Sequence, residues 1–152
     1  MLLVVNTGSS SVKFRLFGLA LDLPLIAGGK VTDIGGKAVL KAGKEGEADI
    51  KENLSAGTTH ESALAVILSW LDKNDLGTGG ITTAAHRIVH GGTRYDGPVL
   101  LDDPALFYLR WLNNLAPLHQ PHNLAGVDIL ADKMPGIPQY GCFDTAFHTR
   151  HD

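Results

Sequence analysis

Short apolar runs separated by polar, glycine-containing turns make up the first third of the chain. Leu2–Val5 is apolar, Asn6–Ser11 is polar, and apolar positions then alternate with polar ones over Val12–Leu19. This order predicts an antiparallel hairpin whose second strand has one face in water. The following segments predict two more strands and then an exposed loop or edge strand: Pro24–Thr32, Lys37–Lys41 and Lys41–Thr59.

Helical periodicity alternates with strand-like runs in the rest of the chain. Thr58 and Thr59 precede apolar positions at helical spacing, which predicts a helix to about Asn74. Ile81–His90 is apolar and β-branched, and therefore predicts a buried strand. The last segments predict two helices and a final strand: Ala105–Leu115, Asn123–Lys133 and Ile137–Phe143. A meander followed by alternating helices and strands indicates an α/β fold with a mixed sheet and helices packed against it.

Composition narrows the class of protein. The 152 residues are 44% hydrophobic and 19% charged, which is typical of one globular domain, here residues 1–152. A net charge of −3 argues against a strongly basic nucleic-acid binder. One cysteine suits a reducing compartment, and the sequence has neither a signal-peptide pattern nor an apolar run of membrane-spanning length. We therefore expect a cytoplasmic protein with no nucleic acid or membrane partner.

The polar segment between the first two strands carries groups that suit phosphate. It lacks the spacing of a Walker A loop and leads into a strand rather than a helix. In an extended chain, a spacing of two residues places Ser9, Ser11 and Lys13 on one face. Two hydroxyls, turn N–H groups and an ammonium suit polyphosphate oxygens. A polar hairpin with a solvated lysine has the same spacing, and the residues alone leave both interpretations open.

Arg87 stands inside the predicted strand at residues 81–90. A charge in an apolar strand is costly unless it is paired, so we expect a buried guanidinium with an anionic partner. Its fork of donors suits a carboxylate or phosphate substrate, and a structural salt bridge to an Asp or Glu fits equally well. His86 and His90 lie too far apart on a strand to favour zinc.

A proline-containing loop with two histidines precedes the predicted helix at residue 123. A fixed imidazole in this loop could donate a hydrogen bond to a developing negative charge. Helix capping by His119 or His122 is the alternative. The pairs His119/His122 and His148/His151 also permit a metal-binding or assembly site, but no thiolate pair or HExxH motif supports it.

Asp144 follows the last predicted strand directly. Ligands of open α/β sheets bind at the carboxyl ends of strands, and a carboxylate there could orient a Mg²⁺–phosphate complex. A helix N-cap explains the same residue. We expect the serine-rich hairpin, Arg87 and Asp144 to converge on one cleft that neutralises negative charge.

Four segments, in order, resemble the acetate kinase family closely: VVNTGSSSVKFRLF, AHRIVHGG, LAPLHQPHNLAGV and CFDTAFH. The resemblance runs from Met1 to about His148. It implies a ribonuclease H-like mixed sheet with flanking helices, of the sugar kinase, actin and heat-shock ATPase superfamily. It also implies that the chain is the N-terminal half of a duplicated two-domain architecture.

The resemblance further implies an activity and a role for each matching position. The activity is reversible transfer of the ATP γ-phosphate to acetate, or to propionate, with Mg²⁺ or Mn²⁺, giving acetyl phosphate and ADP in a homodimeric parent protein. The catalytic positions are Asp144, Arg87 and His119, and those facing ATP phosphates are Ser9, Ser11 and Lys13. The positions of the substrate pocket are Arg87, Val89 and Leu118, and the position near the metal is Asn6.

The sequence departs from the family pattern after His148. The family usually continues with a Gln-Thr-Met-Pro-like segment, whereas Thr149–Asp152 reads TRHD. The groups that the family places in its second domain are not among these residues, so we expect the piece alone to lack full activity. A non-catalytic or hydrolytic nucleotide-binding module of the same superfamily is the alternative.

Overall fold

A computed structural model describes residues 1–88, 97–115 and 121–143. The strands are β1 (Leu2–Thr7), β2 (Val12–Phe17), β3 (Leu25–Thr32), β4 (Val39–Lys44), β5 (Ile50–Asn53), β6 (Thr83–Ile88), β7 (Val99–Leu100) and β8 (Gln139–Phe143). The helices are α1 (His60–Lys73), α2 (Asp103–Leu115) and α3 (Pro121–Lys133), with one 3₁₀ turn at Thr78–Gly80. No helix in these ranges is long and apolar enough to cross a membrane.

The described strands form one mixed sheet in the order β5-β4-β3-β2-β1-β6-β8-β7. The first five strands make an antiparallel meander, as the sequence predicts, and the charged stretch after Lys41 does contain an edge strand, β5. Strand β1 then pairs in parallel with β6, and β6 with β8. The two-residue strand β7 was not expected from the sequence. This arrangement places β1 at the centre of the sheet.

All three helices pack against the same face of the sheet. That face carries alternate residues of each strand, such as Leu3 and Val5 of β1, which are buried under α1 and α3. Helix α1 begins where predicted because Thr59 caps it, accepting a hydrogen bond from the Ser62 N–H. Helix α2 packs on α3 and joins Ile88 and its neighbours in a second apolar cluster. The helices therefore leave the other face, called the open face below, without a helix among the described residues.

Gly126 of α3 packs directly against β1, and its replacement gives a stability test. A Cβ at residue 126 would overlap Oγ1 of Thr7 and lie 3.2 Å from the Thr7 Cβ. Alanine normally stabilises a helix interior over glycine by about 1 kcal/mol. For Gly126→Ala we instead expect a loss of about 1–3 kcal/mol in the free energy of unfolding, because the site is already filled.

Urea unfolding followed by tryptophan fluorescence measures this loss. Gly79→Ala is the control, because a Cβ there meets nothing within 4 Å. The control is expected to change stability by less than about 0.5 kcal/mol. A Gly126→Ala protein more stable than the parent would contradict the close contact between α3 and β1.

Candidate active site

A tight turn joins β1 to β2 and carries the serine-rich segment. The N–H of Gly8 donates to the carbonyl of Ser11 at 2.8 Å and closes the turn between paired residues Thr7 and Val12. Ser9 is exposed at its tip. The segment is therefore a turn, and the expectation that Ser9 lies on one extended face with Ser11 and Lys13 is wrong. A four-residue connection must reverse the chain, so the side-chain period of two is lost there.

Donors from three other elements hold the carbonyl groups of this turn. The bonds run from Asn123 Nδ2 to Thr7 O at 2.6 Å, from His60 Nε2 to Gly8 O at 2.7 Å, and from the Ile34 N–H to Ser10 O at 2.9 Å. Because α1, α3 and the β3–β4 connection each contribute one donor, the turn has a fixed position on the sheet. The serine hydroxyls are the polar side chains that it presents.

Sequence reasoning missed the contributions of His60 and Asn123. His60 lies at the start of α1, 52 residues from Gly8, and Asn123 lies 116 residues from Thr7. Their local sequence carries no signal of these contacts. The His60 ring also stacks on that of His122, with 5.3 Å between centroids, so His122 supports the ring that holds the turn.

Strand register brings Lys13, Asn6 and Arg87 side by side on the open face. Asn6 pairs with Lys13 across β1 and β2. Val5 pairs in parallel with His86, which places the next residues, Asn6 and Arg87, next to each other on the opposite face. An ammonium, an amide and a guanidinium thus follow one another across three neighbouring strands.

These three side chains line one cavity of about 750 Å³. Its wall also includes Val4 and Arg15, and Ser9 and Ser11 do not line it. The structure therefore brings together the predicted phosphate, metal and substrate positions of β1, β2 and β6. The cavity wall carries a cationic side chain on either side of a neutral amide, an arrangement that suits an anion.

Arg87 is exposed, and the expectation of a buried guanidinium is wrong. The apolar run at residues 81–90 suggested burial on both faces of its strand. In the structure His86 and Ile88 of β6 are buried on the helix face, whereas Arg87 lies on the open face and is exposed, although its neighbour Ala85 on that face is buried. The guanidinium therefore stays hydrated and reaches the cavity without the desolvation cost of a buried charge.

The residue before Arg87 fixes its strand from the other side. His86 is 1% exposed, and its Nε2 lies 2.5 Å from Oε1 of Gln139. Gln139 in turn donates from Nε2 to the carbonyl of Val127 at 3.1 Å. Since an amide oxygen only accepts, His86 donates from Nε2. Burial lowers the pKa of His86 to about 4, against the opposing effect of the Gln139 bond, and keeps the ring neutral.

Cys142 of β8 lies next to Arg87, on the side away from Asn6. The two residues pair across β6 and β8, and the thiol is on the exposed side of the sheet. Partial burial raises the pKa of Cys142, so the thiol is a weaker nucleophile than an ordinary surface cysteine at neutral pH.

The remaining predicted positions lie outside the described residues. They are Val89, Leu118, His119, Asp144, His148 and His151. The convergence of Asp144 on the cavity therefore stays a prediction. Within the described ranges no group of three His, Cys, Asp or Glu residues is placed to hold a metal ion.

Comparison with known proteins gives consistent matches along the chain. The acetokinase family model matches residues 1–151. An acetate kinase of Rhodopseudomonas palustris is 39% identical over 153 residues, which cover 98% of this chain and 38% of that protein. The acetate kinase of Rhizobium meliloti is 41% identical, over 99% of this chain and 39% of its own length.

Solved structures share the fold described above. The acetate kinase of Porphyromonas gingivalis superposes with a TM-score of 0.86 at 34% identity, over 96% of this chain and 37% of that one. A propionate kinase from Francisella tularensis superposes with a TM-score of 0.85 at 32% identity, over 97% of this chain and 37% of that one. The chain thus spans little more than a third of the length of the proteins that it matches.

Proposed function

The chain belongs to the acetokinase family, and we propose that it forms the N-terminal part of an enzyme that transfers the γ-phosphate of ATP to acetate. The products are acetyl phosphate and ADP, and the reaction is reversible. One observation carries the proposal: Lys13, Asn6 and Arg87 lie side by side in the same cavity of the open face.

Charge neutralisation is the main task of such a site. Acetate, with a pKa near the ~4.3 of a glutamate side chain, is already ionised at neutral pH and needs no base. The obstacle is the approach of one anion to another. Arg87 would bind the acetate carboxylate and Lys13 phosphate oxygens inside the cavity. Ser9 and Ser11 do not line the cavity, and we propose that they bind phosphate oxygens at the turn that follows β1.

The transfer then follows from positioning. A carboxylate oxygen forms a bond to the γ-phosphorus as the bond from that phosphorus to the bridging oxygen breaks. The electron pair of the broken bond leaves with ADP. We propose that His119 donates a hydrogen bond to the transferring phosphoryl group, and that Val89 and Leu118 form the walls around the methyl group. Such walls discriminate by only about 1–3 kcal/mol per methylene, so propionate is expected to react as well.

Asn6 fits a Mg²⁺–phosphate complex better than a bare ion. Its amide oxygen is a suitable hard ligand, but Lys13 and Arg87 flank it and would repel an isolated cation. Mg²⁺ or Mn²⁺, when bound with ATP, would neutralise phosphate charge beside Asn6. Because acetate needs no base, we propose that Asp144 orients the metal or its water rather than transferring a proton.

The chain covers less than two fifths of the length of the relatives, which limits the activity expected of it alone. The relatives carry more than half of their residues outside the matched region. We therefore propose that these 152 residues alone have little activity, and that the whole protein acts in the cytoplasm as a homodimer. An exposed set of apolar side chains on this chain, including Phe107 and Trp111, is consistent with further protein packing there.

A chimera tests the proposed function directly. The chain replaces the matched region of the Rhodopseudomonas palustris relative, and acetyl phosphate formation from ATP, Mg²⁺ and acetate is measured. We expect acetate-dependent transfer by the chimera and at most a trace by the isolated chain. ATP hydrolysis that does not depend on acetate would instead favour a hydrolytic nucleotide-binding module, and rapid transfer by the isolated chain would contradict its incompleteness.

A further inference from the structure

Four lysines lie in a straight row across the open face of the sheet. The pairs Lys13–Lys30, Lys30–Lys41 and Lys41–Lys51 are direct neighbours in the register of β2, β3, β4 and β5. All four side chains are exposed. At ~4.8 Å between strands, the three steps span about 14 Å. We call these residues the lysine row.

The row is unfavourable for the isolated protein. Like charges directly opposite each other on neighbouring strands repel. Within the described ranges none of the four lysines forms an ion pair, although the sequence has sixteen acidic residues. A bound anion would offset the repulsion that remains because no ion pair neutralises these four lysines among the described residues.

The surface beside the row is recessed. Gly28 and Gly43 pair with each other on β3 and β4, next to Lys30 and Lys41, so neither position has a side chain. The space over Gly28 stays open on the sheet, whereas the space over Gly43 is taken by the Asp49 carboxylate, which a Cβ at residue 43 would overlap. The 750 Å³ cavity lies over these glycines, and it also takes in the acidic turn at residues 45–49 as its far edge. A ligand on the row is therefore confined to a narrow path between lysines and carboxylates.

We propose that the lysine row binds linear inorganic polyphosphate. This goes beyond the proposed function, because three of the four lysines lie outside the positions assigned to ATP. A polyphosphate chain carries closely spaced charges along one line, so every lysine of the row meets a phosphate. The lysine row also begins at Lys13, which itself lies in the candidate active site.

Other polyanions suit this surface less well. Side chains on one face of an extended peptide recur every ~6.6 Å, which does not match the ~4.8 Å between the lysines. A single-stranded nucleic acid would need aromatic rings on which its bases stack. The row itself offers none, because its four members are all lysines. Both alternatives are outcomes of the test below.

The test compares two double variants of equal charge. Lys30→Gln with Lys41→Gln removes the centre of the row, and Lys73→Gln with Lys133→Gln removes two lysines at the ends of α1 and α3. Short-chain inorganic polyphosphate is titrated into each protein at several salt concentrations. We expect the row variant to bind about tenfold or more weakly, and the control variant to bind within about twofold of the parent.

Salt dependence and ATP binding give two further readouts. By analogy with about −0.7 per contact for single-stranded nucleic acids, four contacts predict a log–log salt slope near −3, which is expected to fall by about half in the row variant. ATP is titrated in a parallel experiment, because it also carries linked phosphates. The affinity of the protein for ATP is expected to be unchanged by the Lys30 and Lys41 substitutions, since Lys13 remains.

Several results would overturn the proposal. Equal losses in the two variants would show attraction to overall charge, and an equal loss for ATP would assign the row to the nucleotide site. Tighter binding of polyglutamate or of a single-stranded oligonucleotide at equal charge would replace polyphosphate as the ligand. Thermal unfolding shows that both variants are folded, and the row variant is expected to be at least as stable at low salt because like charges have been removed.

Discussion

Replacing Arg87 with alanine in the active chimera is expected to lower the rate of phosphoryl transfer by about 10³-fold. The guanidinium lies in the cavity beside Asn6, where the acetate carboxylate would meet the phosphate. Without it, one of the two anions loses its counter-charge when they come together. Arg87→Lys is expected to recover only part of the rate, because an ammonium keeps the charge but lacks the two-pronged geometry.

Arg110 provides the matched control for this substitution. It is also an arginine on the surface, but it lies on α2 and binds Asp128 through two hydrogen bonds, of 3.2 and 2.7 Å. The bond to Asp128 raises the pKa of Arg110, and the pair is half-exposed, so its loss costs at most about 1 kcal/mol of stability. Steady-state kinetics with varied acetate and varied ATP measures all three variants. Equal losses for Arg87→Ala and Arg110→Ala would leave Arg87 with only a structural role.

Acid is expected to destabilise the chain through His86. Burial lowers its pKa in the folded protein from 6.5 to about 4, so the unfolded chain takes up the proton first as the pH falls. The stability is complete above pH 6.5 and is lost progressively toward pH 4. A shift of this size corresponds to about 3 kcal/mol.

Comparison with His86→Gln isolates this contribution. Glutamine is neutral at every pH, so the free energy of unfolding of the variant is expected to change less between pH 7 and pH 4 than that of the parent protein. Urea unfolding at each pH is followed by tryptophan fluorescence, because one of the two tryptophans, Trp70, lies against the core with its ring 6.0 Å from that of Phe14. Parallel losses in parent and variant over this range would show that His86 takes up its proton without unfolding.

The sequence was informative wherever a local pattern decides the structure. Alternation over Val12–Leu19 predicted β2, and the cap at Thr59 predicted the start of α1. Strand β7 could not be predicted, because two residues carry no periodicity and it exists only through its pairing with β8. The predicted burial of Arg87 was wrong for a related reason, because an apolar run does not reveal which face of its strand a helix covers.

The candidate site shows the same limit at longer range. Lys13 and Arg87 could be selected from the sequence by their chemistry and their neighbours, whereas Asn6 was selected only through the family resemblance. Their alignment in one row depends on the register of three strands, one of which lies about eighty residues further along the chain. The bonds from His60 and Asn123 to the turn depend on helix packing and leave no trace in nearby residues.

The central position of β1 has a consequence for folding during synthesis. Strands β1 to β5 pair with their sequence neighbours, so this half can form as soon as it leaves the ribosome. The free edge of β1 must then wait until β6 has been made before it is covered. At about 5–20 residues per second, that interval lasts several seconds. During it, the strand that ends in the serine-rich turn is open to pairing with other nascent chains, which makes this edge the point where premature aggregation would begin.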